Sequence, residues 1–231
     1  LSLSLSFLSA VVRVSPRSSF LPPLHVSWFV GPLLFLVGNK LDQLPAEIGR
    51  LTNLETLDLR CNNLTAELIP PEIGNLVKLL RLYMSKNSLA TLPSEIKTMR
   101  VLKEFDVSFN VLTCLPDEIG CLVSLIKFSC SGNRLLTLPP TIGMLNSLTK
   151  LDAKSNEIHE LPADLGELKG IRKIDLSHNM LTELPWELGK LYSLQVLDLA
   201  HNPLVIPPRE VQNKGTPAVL DWLRKNEKTV K

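Results

Sequence analysis

The sequence lacks the residue combinations that most enzymes, metal sites and disulfide-stabilised domains require. It contains no Gly-rich phosphate loop, no HExxH or GxSxG motif and no nucleophile beside a matched base. We therefore expect no catalytic activity and no cofactor. The four cysteines show neither metal-ligand spacing nor the clustering of a disulfide framework, so we interpret them as reduced thiols of a cytoplasmic protein. They are Cys61, Cys114, Cys121 and Cys130.

The chain also lacks an excess of charge and a long apolar run. Lys and Arg number 25 against 23 Asp and Glu, which leaves a formal net charge of +2. Nucleic acids and anionic membranes are bound largely by excess basic charge, so neither is expected as a partner. The apolar run over residues 26–37 is shorter than the roughly 20 residues that a membrane span needs.

The first 30 residues contain no acidic residue, no initiator Met and no repeat frame. Their opening alternation, LSLSLS, is what translation of a CT dinucleotide run would produce. We expect residues 1–30 to be a leader that is disordered or is not native coding sequence, or the chain to be a fragment that has lost earlier repeats. Because Ser and Arg occur without acids, a transit peptide is the alternative interpretation.

The rest of the sequence is a repeat marked by asparagine. Eight Asn residues are spaced by 23 residues, with one interval of 25. They are Asn39, Asn62, Asn87, Asn110, Asn133, Asn156, Asn179 and Asn202. Leu or a close substitute lies five and three residues before each Asn and two residues after it. A Leu-Pro pair follows in most units, and the extra residues of the long interval are expected to bulge from a loop without breaking the stack.

Each unit carries two different periodicities. KIDLSHN alternates with the period of a strand, whereas PWELGKL has helical spacing. The Pro with an acidic residue two positions later suits the start of a helix. Where the chain leaves the strand, backbone groups point inward, and an amide side chain can pair with them on its own coil and the next. We therefore assign the eight Asn residues a structural role.

This frame, LxxLxLxxNxLxxLPxxIGxL, resembles the leucine-rich repeat. The resemblance implies an α/β solenoid of about eight coils over residues 31–211, with a curved parallel sheet on the concave face and short helices or extended segments on the convex face. Such a stack needs caps at its ends. We expect residues 212–231 to form a capping helix, with Thr216 as its N-cap and Pro217 in its first turn.

The concave face is where leucine-rich repeat proteins commonly bind partners. In this frame, residues six, four and two before each Asn are expected to point outward from the sheet. Basic and acidic columns then run side by side, and Tyr83 and Phe109 are aromatic where the repeat requires no aromatic. The candidate protein-binding residues are Arg60, Arg81, Tyr83, Asp106, Phe109, Lys127, Lys150, Asp152, Lys173 and Asp175. In the alternative, purely structural interpretation, these charges pair with one another on a solvated face.

Two other features receive structural interpretations. His178 and His201 each precede an Asn in consecutive coils, so their rings are expected to stack about 5 Å apart. No third metal ligand is evident beside them, and zinc takes three or four. Trp186 is expected to pack partly on a neighbouring coil.

The repeat LPxEIGxLxxLxxLDLSxN is similar to the cytoplasmic Ras-group class, and the C-terminal sequence is similar to the family called leucine-rich repeat-containing protein 40. The resemblance implies a non-catalytic adaptor in the cytoplasm that binds a protein, such as a small GTPase or a phosphatase, in signal transduction. We expect the protein to be a monomer. The alternative is the substrate-recognition part of a larger enzyme, such as a ubiquitin ligase or kinase. A fragment without independent function is a third possibility.

Overall fold

A single sheet forms one side of the molecule. The computed structural model describes residues 28–30 and 32–227, so residues 1–27 of the predicted leader lie outside the described part. Strands β2 to β9 are parallel and paired in sequence order, and β1 pairs antiparallel with β2. The strands are β1 (Trp28–Val30), β2 (Leu33–Phe35), β3 (Thr56–Asp58), β4 (Arg81–Tyr83), β5 (Glu104–Asp106), β6 (Lys127–Ser129), β7 (Lys150–Asp152), β8 (Lys173–Asp175) and β9 (Val196–Asp198).

The return segments on the other side are 3-10 helices. The helical spacing of the repeat predicted a helix, and the structure shows that it is a 3-10 helix. It is five residues long in most coils and begins directly after the Pro, which therefore flanks the helix. The helices are η1 (Ala46–Arg50), η2 (Ala66–Leu68), η3 (Pro71–Asn75), η4 (Ser94–Thr98), η5 (Asp117–Cys121), η6 (Pro140–Met144), η7 (Ala163–Glu167) and η8 (Trp186–Lys190). The extra turn η2 lies in the 25-residue unit, and the stack continues past it. These elements confirm the predicted leucine-rich repeat solenoid.

The core lies between the sheet and the 3-10 helices. The central residue of each strand from β2 to β9 is buried, as is the Ile or Leu at the third position of each five-residue 3-10 helix. The apolar residues three before and two after each Asn are buried as well, except Leu199, which is partly buried. Phe105 and Phe128 replace the central aliphatic residue in β5 and β6, and their rings stack with centroids 5.7 Å apart. Each coil therefore buries its apolar residues against both neighbours, which explains why the pattern must recur in every unit.

The asparagine side chains join consecutive coils. In Asn133, Oδ1 accepts the backbone N–H of Leu112 at 3.0 Å, and Nδ2 donates to the carbonyls of Val107 and Cys130. The same arrangement occurs at each Asn from Asn62 to Asn202. The coil that the amide reaches is the preceding one, and not the next one as predicted from the sequence. Removing one such amide would leave buried backbone groups unpaired, at about 1–3 kcal/mol each.

A residue in the left-handed backbone region precedes each of the eight asparagines, and this feature was not predicted from the sequence. Eight residues at this position have φ between +54° and +70°: Gly38, Cys61, Lys86, Phe109, Gly132, Ser155, His178 and His201. Such values suit glycine and are unfavourable for other residues. The two glycines at equivalent positions were the available signal. The left-handed turn redirects the chain off the strand so that the Asn side chain points inward.

Glycines in the 3-10 helices allow the coils to approach closely. A Cβ added to Gly120 would lie 2.7 Å from the carbonyl oxygen of Thr141 in the next coil, and one added to Gly74 would meet Glu95 at 3.0 Å. The Ile-Gly pairs of the repeat are therefore packing positions. In η4, Lys97 occupies the equivalent place.

Two helices follow the last strand: α1 (Arg209–Gln212) and α2 (Thr216–Lys225). Val219, Leu220 and Leu223 of α2 are buried against the last coil. The expected N-cap role of Thr216 is wrong, because its Oγ1 instead accepts the N–H of Leu197 in β9 at 2.9 Å. The residue flanking the helix start is Gly215, with φ +85°. Between residues 32 and 227, no helix is long and apolar enough to cross a bilayer.

Candidate functional site

The concave face is formed by three columns of side chains on the strands and just after them. The parallel register aligns Arg81, Glu104, Lys127, Lys150 and Lys173 across successive strands. The second column includes Tyr83 and Asp152, and the third column follows it two residues later. Most members are exposed or partly exposed. The coil of β3 differs: Thr56 and Asp58 were predicted to point outward, but they are 4% and 1% exposed.

A connected polar network occupies the N-terminal half of this face. Arg60 Nε donates to both oxygens of buried Asp58, at 2.8 and 3.0 Å, and the Arg60 guanidinium lies 5.3 Å from the centre of the Tyr83 ring. The Tyr83 hydroxyl donates to Glu104 Oε2 at 2.8 Å. Lys127 Nζ donates to Glu104 Oε1 at 2.9 Å. Side chains from four consecutive coils are thus held in one arrangement.

The network shifts the protonation equilibria of its members. Partial burial and the hydrogen bond to Glu104 raise the pKa of Tyr83 to about 12. The hydrogen bonds from Lys127 and Tyr83 lower the pKa of Glu104. The phenol therefore remains a donor and the carboxylate remains charged at neutral pH. This half of the face presents a fixed aromatic ring flanked by cations.

The C-terminal half carries basic and acidic columns that are not paired. Lys150 and Lys173 are exposed, and neither forms an ion pair within the described part of the chain. Among the three lysines of the first column, Lys127, Lys150 and Lys173, only Lys127 pairs with a carboxylate in the described part of the chain. Asp152 faces Asp175 across the β7–β8 register, and desolvation is the main cause that raises the pKa of Asp152. The purely structural interpretation of complete pairing does not hold for these coils.

The aspartates also have a local structural role. Oδ1 of Asp106 accepts the backbone N–H and the hydroxyl of Ser108, and Asp175 does the same with Ser177. Asp152 accepts the N–H of Lys154 at 3.3 Å. These contacts close the turn that leaves each strand. In each of these three aspartates, Oδ1 is the oxygen that accepts the hydrogen bond.

A shallow depression lies where the two halves meet. Its volume is about 180 Å³, and Tyr83, Glu104, Lys127, Lys150 and Asp152 are among the residues that line it. Five of the predicted side chains, including Asp106, therefore come together at this place. It brings hydrogen-bond donors, acceptors and one aromatic side chain together within one concavity.

Phe109 is placed elsewhere. It occupies the left-handed position after β5, and it is 58% exposed. Its ring packs over Gly132, where an added Cβ would lie 2.7 Å from Phe109 Cδ1. Phe109 therefore lies at the edge of the sheet and does not line the depression at Tyr83.

The same edge column carries the two histidines. The rings of His178 and His201 stack with centroids 4.1 Å apart and an interplanar angle of 21°. Within the described part of the chain, no group of three or more His, Cys, Asp and Glu residues is arranged to hold a metal ion. Trp186 lies at the start of η8, partly buried, with Lys190 Nζ 4.4 Å from its ring centre.

Comparison with known proteins agrees with this architecture. A family profile described as "Leucine-rich repeat region" matches residues 33–125, and another described as "Leucine rich repeat" matches residues 146–204. Together they cover more than half of the chain. None of the curated proteins compared with the sequence matches it.

Several solved structures are similar. A leucine-rich repeat protein of Leptospira interrogans is 31% identical, with a TM-score of 0.62 over 80% of this chain and 53% of its own. The plant peptide hormone receptor RGFR1 in complex with RGF2 is 30% identical, with a TM-score of 0.63 over 69% of this chain and 26% of the receptor. The ectodomain of the Arabidopsis thaliana receptor kinase GASSHO1/SCHENGEN3, in complex with CASPARIAN STRIP INTEGRITY FACTOR 2, is 30% identical, with a TM-score of 0.53 over 74% and 24%.

The chain thus spans about half the length of the bacterial protein and about a quarter of each plant receptor chain. The eight asparagine-marked coils, the parallel sheet and both profile matches give the same result: the chain belongs to the leucine-rich repeat family.

Proposed function

We propose that this chain is a non-catalytic interaction scaffold that binds a partner protein on the concave face. The observation that carries the proposal is the depression at Tyr83, where an ordered aromatic ring and charges of both signs converge. Tyr and Arg are typical anchors of protein interfaces. The network already holds Tyr83 and Arg60 in place, so less side-chain entropy is lost when a partner binds.

The unpaired columns indicate the chemistry of the partner. Lys150 and Lys173 would contact acidic groups, and the neighbouring aspartates would contact basic or amide groups. Adjacent columns of opposite sign favour one orientation of a partner over its reverse, because the reversed orientation juxtaposes like charges. Tight association is therefore expected only with a surface that has the complementary pattern.

The proposed setting is signal transduction in the cytoplasm, with a small GTPase or a phosphatase as partner. The support is the similarity of the repeat to the Ras-group class. All four cysteines are free, and Cys61 and Cys114 are exposed, which suits a reducing compartment. The protein is proposed to act as a monomer.

A second candidate is that the chain recognises substrates for a larger enzyme, such as a ubiquitin ligase or kinase. The observation that favours it is the receptor-kinase ectodomain among the similar structures, since there a repeat domain belongs to a longer protein. A full-length transcript separates the two proposals. A catalytic domain in the same reading frame would support the second and contradict the first.

The first proposal is tested with two variants of equal chemical change. The concave variant is Tyr83→Ala with Lys150→Glu and Lys173→Glu. The control is Tyr192→Ala with Lys78→Glu and Lys97→Glu, at exposed positions outside the columns.

Partners of the wild type are captured by crosslinking and quantified. We expect the concave variant to lose them and the control to keep them, while both variants retain the wild-type circular dichroism. Partners kept by a folded concave variant would contradict the proposal. Capture of any partner by the Phe109→Ala variant at wild-type level is also expected, because Phe109 lies away from the depression.

A further inference from the structure

Another concave surface is formed by the segments from each Asn to the first turn of the following 3-10 helix, which contribute no residue to the concave columns. Two neighbouring concavities of about 440 and 320 Å³ share Glu160 and Leu161 and so form one groove. The groove runs along the Leu-Pro pairs of four consecutive coils, from Leu115 to Leu184. With coils about 4.8 Å apart, its length is at least about 14 Å, enough for about five residues of an extended peptide. We name it the Leu-Pro groove.

The floor of the Leu-Pro groove is apolar. Leu115, Leu138, Leu161 and Leu184 are buried beneath it, and a proline follows each of them. Trp186 adds a partly buried indole at one end. Prolines and an indole form a relatively rigid, flat surface, and such surfaces bind extended chains at a low cost in side-chain entropy.

Acidic residues line the groove both before and after the Leu-Pro pairs. Glu160 and Glu183 precede the Leu-Pro pairs of their coils, whereas Asp117 and Glu187 follow such pairs in the first turn of a 3-10 helix. No Lys, Arg or His is among the described residues that line the groove. None of these four carboxylates forms an ion pair in the described part of the chain. The chain as a whole has nearly balanced charge, so this surface is locally exceptional.

A metal ion does not explain the carboxylates. In residues 28–30 and 32–227 no three His, Cys, Asp or Glu side chains converge closely enough to bind one. The carboxylates are instead distributed along the groove, before and after the Leu-Pro pairs. This distribution fits a linear ligand that places apolar side chains on the floor and cations beside the carboxylates.

We propose that the Leu-Pro groove binds an extended basic segment of a partner protein, in which Arg or Lys alternates with apolar residues. The arginines contact Glu160, Glu183, Asp117 and Glu187, and the apolar residues lie on the prolines and Trp186. The groove and the concave face are distinct surfaces, so this proposal stands independently of the proposed function.

The test uses the full chain and a fluorescein-labelled octapeptide in which arginine alternates with leucine. Fluorescence anisotropy is expected to show saturable binding that weakens as salt is added, because the contacts are ionic and exposed. An octapeptide with glutamate in place of arginine is expected not to bind. The groove variant, Glu160→Lys with Glu183→Lys, is expected to bind at least about tenfold more weakly.

The matched control is Glu157→Lys with Glu210→Lys, which makes the same change in charge at exposed positions that do not line the groove. It is expected to reduce affinity less than about twofold, by long-range electrostatics alone. Equal loss in the groove variant and the control would overturn the proposal, since binding would then follow net charge. Absence of wild-type binding, or equal binding of the glutamate octapeptide, would overturn it as well.

Cys114 provides a local readout. It lines the groove and is exposed, whereas Cys130 is buried with a raised pKa caused mainly by desolvation. In a variant with Cys61→Ser and Cys121→Ser, a thiol reagent should label Cys114, and the arginine octapeptide should slow that labelling. If a saturating concentration of the peptide leaves the labelling rate unchanged, the peptide binds elsewhere. If the chain binds no peptide but self-associates, and Glu160→Lys with Glu183→Lys abolishes the self-association, the groove binds a second copy of the chain. Either result overturns the proposal.

Discussion

The hydroxyl of Tyr83 donates to Glu104 Oε2 at 2.8 Å, and the two residues come from adjacent strands of the concave sheet. Their relationship fixes the aromatic ring beside Arg60 and connects it to Lys127 through a shared carboxylate. Because this hydrogen bond needs a neutral phenol and a charged carboxylate, it forms only between the pH at which Glu104 is protonated and the pH at which Tyr83 is deprotonated.

The titration of Tyr83 can be observed alone, because the chain has two tyrosines and Tyr192→Phe leaves only one. We expect its tyrosinate absorbance to appear with a midpoint of about 12. The folded protein stabilises the neutral phenol, and its pKa therefore lies above the ordinary value of 10. The resulting stabilisation of the fold is present below pH 10 and is lost as the pH rises through about 12. Adding Glu104→Gln should lower the midpoint, with circular dichroism confirming a folded chain. An unchanged midpoint would contradict the hydrogen bond.

Glu104 gives the opposite dependence at acid pH. Its pKa is lowered in the folded protein, so its stabilising contribution is present above the ordinary value of 4.5 and is lost as pH falls through the folded-state pKa. The difference in urea unfolding free energy between wild type and Glu104→Gln should therefore shrink from neutral pH towards acid pH. A difference that stays constant over this range would show that the carboxylate is not responsible.

We expect the loss of stability on replacing an asparagine to depend on how many backbone groups its amide pairs with. Asn133→Ala removes an acceptor for Leu112 and donors for two carbonyls in the core, so we expect a loss of about 2–4 kcal/mol in unfolding free energy. Asn39 is the matched control because, among the residues that the structure describes, its amide donates only to Val37 in its own coil, at 3.3 Å. Asn39→Ala should cost less than about 1 kcal/mol. Equal losses would indicate that the links between coils contribute little.

Because the coils approach closely, we expect alanine substitution to affect stability differently at two glycines in neighbouring segments. Gly166→Ala would place a Cβ 2.5 Å from the carbonyl oxygen of Glu187, so the coils must separate locally. Gly170→Ala meets nothing closer than 3.4 Å. Thermal unfolding should show destabilisation of about 1–3 kcal/mol for Gly166→Ala and no loss for Gly170→Ala. Similar melting temperatures for the two variants would contradict the close packing.

The left-handed residue before each Asn can be tested at Ser155, which is exposed and has φ +54°. Ser155→Gly should leave stability unchanged or raise it by up to about 1 kcal/mol, because glycine accepts this backbone region without strain. Ser155→Val should lower stability by about 1 kcal/mol or more, since a β-branched side chain is poorly accommodated there. Denaturant midpoints that rank valine above glycine would refute the assignment.

The architecture could be predicted from sequence because burial imposes a repeating constraint. Leu57, Leu59 and Leu64 recur at fixed distances from Asn62, and every coil must present the same residues to its neighbours. The eight-coil solenoid and its parallel strands follow from that pattern. The left-handed turns did not emerge, because Cys61, Lys86 and Phe109 are residue types that carry no signal of positive φ.

The candidate site was less predictable because exposed side chains obey no comparable constraint. The columns placed Tyr83, Glu104 and Lys127 near one another, but the choice of partners depends on rotamers that the repeat does not encode. Thr56 and Asp58 are buried because neighbouring side chains cover them, with Arg60 bound to Asp58. The Leu-Pro groove was not predicted from the sequence, because its acidic residues come from two separate parts of the repeat unit, before and after the Leu-Pro pair. Only the turn between these parts brings them together.

The asparagine links also give the solenoid a direction. Every amide from Asn62 onward reaches backward, so each coil depends on its successor to pair its own inward-pointing backbone groups. Both kinds of truncation break backbone hydrogen bonds between coils. Removing coils from the C-terminal end also takes away the amides that pair with main-chain groups in the new last coil, whereas removing them from the other end frees an amide side chain that can turn to water. The Thr216 hydroxyl on the β9 edge, and the helix that carries it, therefore lie at the end where truncation is the more damaging.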